Sequence, residues 1–135
     1  MATLSGLRVI ELSAMGPVPF CGMLLGDHGA DVLRIDPVAA RGNGLELDER
    51  LDLRGRNKRS AMIDLKSAGG RAVFIDLVRG ADVLLEGFRP GVMERLGIGP
   101  AECHAVRPSL VYGRGTGWGQ TGDNAPTAGH DINYI

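Results

Sequence analysis

The chain has 135 residues, 21 of them glycine, with three Phe, two Tyr and one Trp. That length suits one domain. A composition of 44% hydrophobic and 23% charged residues excludes a disordered chain, and glycine without a Gly-X-Y period excludes collagen. A net charge of −1 excludes a general nucleic-acid binder. No apolar run approaches the ~18 residues of a membrane span, and no basic-then-apolar leader opens the chain, so a soluble cytoplasmic protein is expected. With few aromatics, the core must come from Val, Leu, Ile, Ala and Met. Cys21 and Cys103 fall in segments that read as helical and are expected as buried thiols.

Leu7 to Leu12 reads as a first strand, apolar enough for a parallel sheet covered on both faces. Pro17 to Asp27 reads as a helix, with Pro at its start and Gly29 just past its end. Ala30 to Asp36 reads as a second strand, completing a βαβ unit. From Pro37 to Arg59 the pattern is lost in a long charged connection, acidic first (Glu46, Asp48, Glu49, Asp52) and basic after (Arg54, Arg56, Lys58, Arg59). Ala61 to Leu65 is expected as a third strand. Ser67 caps a helix running to about Arg79, whose apolar contacts are expected from Ala72, Ile75, Leu77 and Val78. Asp82 to Glu86 is a fourth strand, Val92 to Leu96 a short helix, and Pro100 opens another that ends before Pro108. Leu110 to Tyr112 is a fifth strand, followed by a loop rich in glycine and threonine over Gly113 to Gly122.

Strands alternating with helices predict an α/β, Rossmann-like, doubly wound and mostly parallel sheet. Ligands of such sheets bind beyond the carboxyl ends of the strands. Those ends are expected at Ser13–Pro17, Asp36, Lys66, Gly87–Pro90 and Gly113–Gly119.

The candidate residues gather there, each with a bland competitor. A dinucleotide fingerprint would need G-x-G-x-x-G after the first strand. Ser13-Ala14-Met15-Gly16-Pro17 stands there instead, although Asp36 lies about twenty residues on, where a ribose-binding acid would sit. A solvated acid at a strand end is the competing reading. The four cations Arg54, Arg56, Lys58 and Arg59, with Lys66, Arg89 and Arg95, have the chemistry of a phosphate-binding rim. The competing reading is a solvated loop paired with the acidic stretch before it. His28 and His104 read as structural. His130 lies in a glycine-flanked loop beside Asp131, where a general base would find an orienting partner. Trp118, among glycines, suits either a pocket wall or a tight turn. No Cys/His spacing resembles a metal site, and no G-x-S-x-G elbow is present.

Several segments together resemble one family. They are Leu25-Gly26-Asp27-His28-Gly29-Ala30-Asp31-Val32, Arg56-Asn57-Lys58-Arg59-Ser60, Asp64-Leu65-Lys66, Ala81 through Val92, Glu94-Arg95-Leu96-Gly97, and Gly117 through Gly122. In order and spacing they resemble the class III coenzyme A-transferases, which include the 2-methylacyl-CoA racemases. Gly129-His130-Asp131-Ile132-Asn133-Tyr134 is similar to the racemase branch, where transferases usually carry an aromatic residue at the place of His130.

The resemblance implies several roles. His130 is a general base with Asp131 as a possible orienting neighbour. Lys66, Arg89 and Arg95 contact the phosphates and adenine region of coenzyme A, Tyr134 lies near its thioester end, and Arg34 is a weaker candidate. No tightly bound cofactor or metal is implied beyond the coenzyme A moiety of an acyl-CoA substrate. The racemases' arginine after the second-strand Ile-Asp is Pro37 here, for which Arg41 or the Arg54–Arg59 cluster would have to substitute. The family's larger size implies that residues 1–135 are the N-terminal part of a CoA-binding large domain, with a small domain, a downstream catalytic Asp and an interlocked homodimer expected of the full-length protein. The expected activity is 2-methylacyl-CoA racemisation. The alternatives are acyl-CoA:carboxylate CoA transfer, a non-catalytic CoA-binding fragment and, outside the family, a nicotinamide-dependent dehydrogenase.

Overall fold

The computed structural model describes residues 2–38 and 51–129. Five parallel strands form one sheet in the order β3-β2-β1-β4-β5. They are β1 (Arg8–Leu12), β2 (Asp31–Asp36), β3 (Lys58–Met62), β4 (Val83–Glu86) and β5 (Val111–Arg114). Helix α1 (Pro17–Asp27) joins β1 to β2, and α2 (Ala68–Arg79) joins β3 to β4. The short α3 (Val92–Arg95) and then α4 (Pro100–Val106) lead from β4 to β5. The chain moves outward on one side of β1, then returns to build β4 and β5 on the other. The order therefore reverses between β1 and β4, which is the topological switch point of an open α/β sheet.

Strand alternation divides the core. Ile10, Leu12, Ile35 and Leu84 pack with Phe74 and Val78 of α2, Met93, Ile98, Cys103 and Leu110. Val9 and Val32 point the other way, with Ala30, Leu25 of α1, Val83 and Leu85. The opposite directions of successive side chains on one strand set this partition.

The helix ends follow local chemistry. Pro17 opens α1 behind Gly16, whose φ is 82. Gly29, at φ 96, closes it, with the Ala30 N–H donating to Leu25 O at 3.0 Å, as glycine-terminated helices do. The Ser67 hydroxyl accepts from the Gly70 N–H at 2.9 Å and caps α2. Ser67→Ala is expected to cost about 1 kcal/mol. Thermal unfolding checks this, with Ser67→Asp, which keeps the acceptor, expected to stay near the wild-type midpoint.

Three expectations need correction. The third strand is Lys58–Met62, not Ala61–Leu65, so the charged connection ends earlier than Arg59. A 3-10 turn at Leu53–Gly55 precedes that strand. Cys21 is exposed on α1, whereas Cys103 is buried, where burial pushes its thiol up to about 11. The residue of α2 most deeply buried with Val78 is Phe74, one turn earlier. No helix among the described residues is long and apolar enough to cross a membrane.

Candidate functional site

The carboxyl ends of β1 and β4 flank the switch point, and each carries a buried carboxylate near its end. Glu11, fully buried, and Glu86, 3% exposed, are the only buried charged residues among those described. They face opposite sides of the sheet and are satisfied differently.

Glu11 lies on the α1 side. Lys58 of β3 reaches across β2 and donates to both its oxygens, at 2.9 and 2.7 Å, and to Pro19 O at 2.9 Å. The Lys58 side chain is 2% exposed. The helix above leaves room only because residue 22 is glycine. A Cβ there would sit 1.7 Å from Glu11 Oε2. Burial pushes the Glu11 carboxyl above its ordinary value, against the opposing pull of Lys58.

Glu86 lies on the α2–α4 side, in register with Arg114 of β5. One oxygen accepts the Phe88 N–H at 2.7 Å and the other faces Arg114 Nε at 3.5 Å. The same guanidinium donates to Gln120 Oε1 at 2.6 Å and to Glu94 Oε1 of α3. It also stands 5.3 Å from the Tyr112 ring centre, within the range of a cation–π contact. The Tyr112 hydroxyl is buried without a hydrogen-bond partner among the described residues, and burial pushes its phenol above the usual value. Burial likewise raises Glu86, opposed by the Phe88 amide. Glu94 is lowered by its bond from Arg114.

A cleft of about 220 Å³ opens beyond β1 and β2, lined by Ser13, Ala14, Arg34, Asp36, Asp52 and Arg54 among others. Arg34 Nε donates to Asp36 at 3.0 Å, and Arg54 Nε to Asp52 at 3.0 Å. The cleft wall thus holds both signs of charge, and Asp36 is neither solvated alone nor poised beside a glycine-rich turn. At the switch point itself, Gly87 and Gly115 admit α1. Added Cβ atoms would lie 2.9 Å from Ala14 Cβ and 2.6 Å from Val18 Cγ2 respectively. The start of α1 fills the place where a dinucleotide pyrophosphate would approach a fingerprint loop.

The basic cluster resolves into two groups. Every cation of the Arg54–Arg59 run meets a carboxylate: Arg54 with Asp52, Arg56 with Asp27, Lys58 with Glu11, and Arg59 with Asp31. Only Asp52 of these partners belongs to the preceding acidic stretch. Lys66, Arg89 and Arg95 form no ion pair with a described residue and are exposed. Lys66 lies past β3 in the turn before α2, four residues beyond the strand rather than at its end. Arg89 follows β4, and Arg95 ends α3. Arg95 folds back over the turn that carries Arg89, since a Cβ on Gly91 would be 3.0 Å from Arg95 Nη1.

Of the other candidates, Arg34 lines the cleft. His104 Nε2 bonds Leu110 O at 3.0 Å, and His28 caps α1. Trp118 is 36% exposed in the loop beyond β5. His130, Asp131, Tyr134 and Arg41 lie outside the described residues. Sequence reasoning missed the Glu86–Arg114 pair. Its signal was a glutamate ending one apolar strand and an arginine ending the next.

An open parallel sheet with this order, occupied by the start of α1 where a dinucleotide fingerprint loop would stand, defines an open α/β protein with a switch point between β1 and β4. Residues 4–135 match the model of CoA-transferase family III, and the chain belongs to that family. It is 46% identical over 132 residues to alpha-methylacyl-CoA racemase of Homo sapiens, covering 98% of this chain and 33% of that protein. It is 40% identical to succinyl-CoA--D-citramalate CoA-transferase of Chloroflexus aurantiacus, covering 93% of this chain and 33% of that one. A hypothetical protein of Mycobacterium tuberculosis has the same architecture, with a TM-score of 0.89, 31% identity, and coverage of 98% of this chain and 38% of that one. The chain spans about a third of the length of the curated relatives it matches.

Proposed function

We propose that the full-length protein is a 2-methylacyl-CoA racemase acting by 1,1-proton transfer at the carbon beside the thioester carbonyl. The observation that carries the reading is the 46% identity to a human protein of that name across nearly all of this chain. The geometry supports it with three exposed cations, on the segments that follow β3 and β4, that form no ion pair with a described residue.

The proton beside a thioester carbonyl is weakly acidic. Its removal needs a positioned base and donors for the enolate oxygen in a site that excludes water. His130 takes the proton from one face, with Asp131 orienting its imidazole, and an acid on the opposite face returns it. Lys66, Arg89 and Arg95 hold the phosphates of coenzyme A, with Arg34 a further contact at the nucleotide end and Tyr134 at the thioester end. Binding energy gathered far from the reacting carbon then fixes that carbon against the base. A cytoplasmic setting in lipid metabolism and a homodimeric assembly go with this reading.

The 40% identity to a CoA-transferase favours a second reading, transfer of coenzyme A between carboxylates through a covalent acyl intermediate. One experiment separates them. The full-length protein is incubated with a single epimer of a 2-methylacyl-CoA in deuterated water, with and without a free carboxylate. Racemisation predicts deuterium at carbon 2 and loss of stereochemistry without the carboxylate. Transfer to the free acid with no exchange would overturn the racemase reading.

A further inference from the structure

Arg89 and Arg95, unlike the cations of the Arg54–Arg59 run, have no carboxylate among the described residues holding them, yet they stand on short irregular pieces of chain. Arg89 lies in an open stretch between β4 and α3, and α3 is only four residues long. A helix of one turn has little stability of its own. Something outside these pieces must fix where two long, flexible cationic side chains begin.

We propose that Glu86 and Arg114 form a brace that positions Arg89 and Arg95 for the phosphates of the ligand, Glu86 acting on the Arg89 turn and Arg114 on α3. Three contacts define the brace. Glu86 Oε2 accepts the Phe88 N–H at 2.7 Å, which fixes the chain one residue before Arg89. Arg114, in register beside Glu86 on β5, donates to Glu94, the residue preceding Arg95. Arg95 in turn lies back across Gly91, whose φ of 80 turns the chain between the two cations. The brace is anchored where motion is least, on two paired strands, with Glu86 3% exposed.

The charges suit this task. A neutral side chain at 86 would hold the Phe88 N–H less strongly, and a neutral one at 114 would hold Glu94 less strongly, because hydrogen bonds with an ionised partner are roughly twice as strong. Glu94 also neutralises Arg114, and Glu86 faces it from the other side. The brace cation is thereby occupied, while Arg89 and Arg95 keep their charge for a ligand. Arg114 reaches a third segment through Gln120, so the loop after β5 is tied to the same point. Glu86, Arg114 and Glu94 are positioning residues in this account and touch no ligand.

The proposal rests on Arg89 and Arg95 meeting coenzyme A phosphates, and its test separates the two claims. The affinities of coenzyme A and of pantetheine, which lacks the phosphates, are measured by calorimetry on the full-length protein. Glu86→Gln is expected to weaken coenzyme A about tenfold, the loss of charge-assisted bonds in the brace, and to leave pantetheine unchanged. The same substitution in an Arg89→Ala, Arg95→Ala background is expected to have no further effect. Equal weakening of both ligands, or an undiminished loss in that background, would mean general structural damage and overturn the proposal. An unchanged coenzyme A affinity in Glu86→Gln, with a clear loss in Arg89→Ala, would overturn the brace alone. No loss in the double alanine variant would overturn the phosphate reading and the brace with it. Glu94→Gln guards against misfolding, since Glu94 is exposed. It weakens the α3 arm by removing its charge and is expected to lower coenzyme A affinity a few-fold at an unchanged melting temperature, and an unchanged affinity would count against the brace.

Discussion

Lys58→Met is expected to destabilise the protein by about 3–5 kcal/mol, as breaking one side of a buried ion pair does. The Lys58 ammonium makes three hydrogen bonds within 2.9 Å, two of them to a carboxylate that no solvent reaches. Methionine has a similar volume, so packing changes little and the cost falls on Glu11, left buried and charged. The pH dependence follows from the same burial. The Glu11 carboxyl is raised in the folded state, burial being the largest cause, so the native protein binds its proton more tightly than the unfolded chain. Its contribution is then most favourable below the unfolded value of 4.5 and is lost as pH rises through the folded value. Removing Lys58 takes away the opposing pull and extends that window upward. Urea unfolding at pH 5 and pH 7 checks this, with a larger deficit expected at pH 7. Glu11→Gln combined with Lys58→Met is expected to recover much of the loss. A single variant as stable as wild type would show that the pair is not sealed from water.

His130→Ala is expected to slow deuterium exchange at carbon 2 of a 2-methylacyl-CoA by about a hundredfold to ten-thousandfold, the usual contribution of a positioned general base. Coenzyme A affinity is expected to remain near the wild-type value, because the phosphate contacts proposed for Lys66, Arg89 and Arg95 belong to the other end of the ligand. That split identifies a base acting on the acyl carbon. A fall in affinity matched by an equal fall in exchange would point to a binding role for His130, and exchange within a few-fold of wild type would remove it from the mechanism. His130→Gln, which keeps a polar side chain of similar reach, is expected to be as slow as alanine.

The helices and the inner strands were legible in the sequence because each carries a local signal. Pro17 and Gly29 bracket α1, Ser67 caps α2, and β1, β2 and β4 are short apolar runs. The third strand was displaced for a physical reason. β3 lies at the sheet edge, where Arg59 and Ser60 face solvent, and its one deeply buried side chain is Lys58. Its sequence resembles a loop because its burial depends on a glutamate 47 residues away. Burial of Glu11 was equally hidden, since one charge in an apolar strand does not announce its partner. The four-cation run had a phosphate-binding composition, and only tertiary pairing showed each cation occupied. Arg89 and Arg95 carried no local signal of their own beyond charge, and the resemblance to a family singled them out. The brace beneath them joins residues far apart in the chain, and its two charges, each ending a strand, gain meaning only from the pairing of β4 with β5.

The sheet order also governs when the protein can assemble. The central pairing of β1 with β4 joins residues 74 positions apart, as the Arg8 N–H bond to Asp82 illustrates, and β5 follows later still. During synthesis the first βαβ unit emerges early but has no β4 beside it. Its inner strand edge and apolar faces must stay open until residues beyond 80 are made. Non-local parallel pairing of this kind folds slowly and leaves such edges exposed to wrong partners. The rim formed by the carboxyl ends of β4 and β5 is therefore a late product of folding, completed only when β5 pairs beside Glu86.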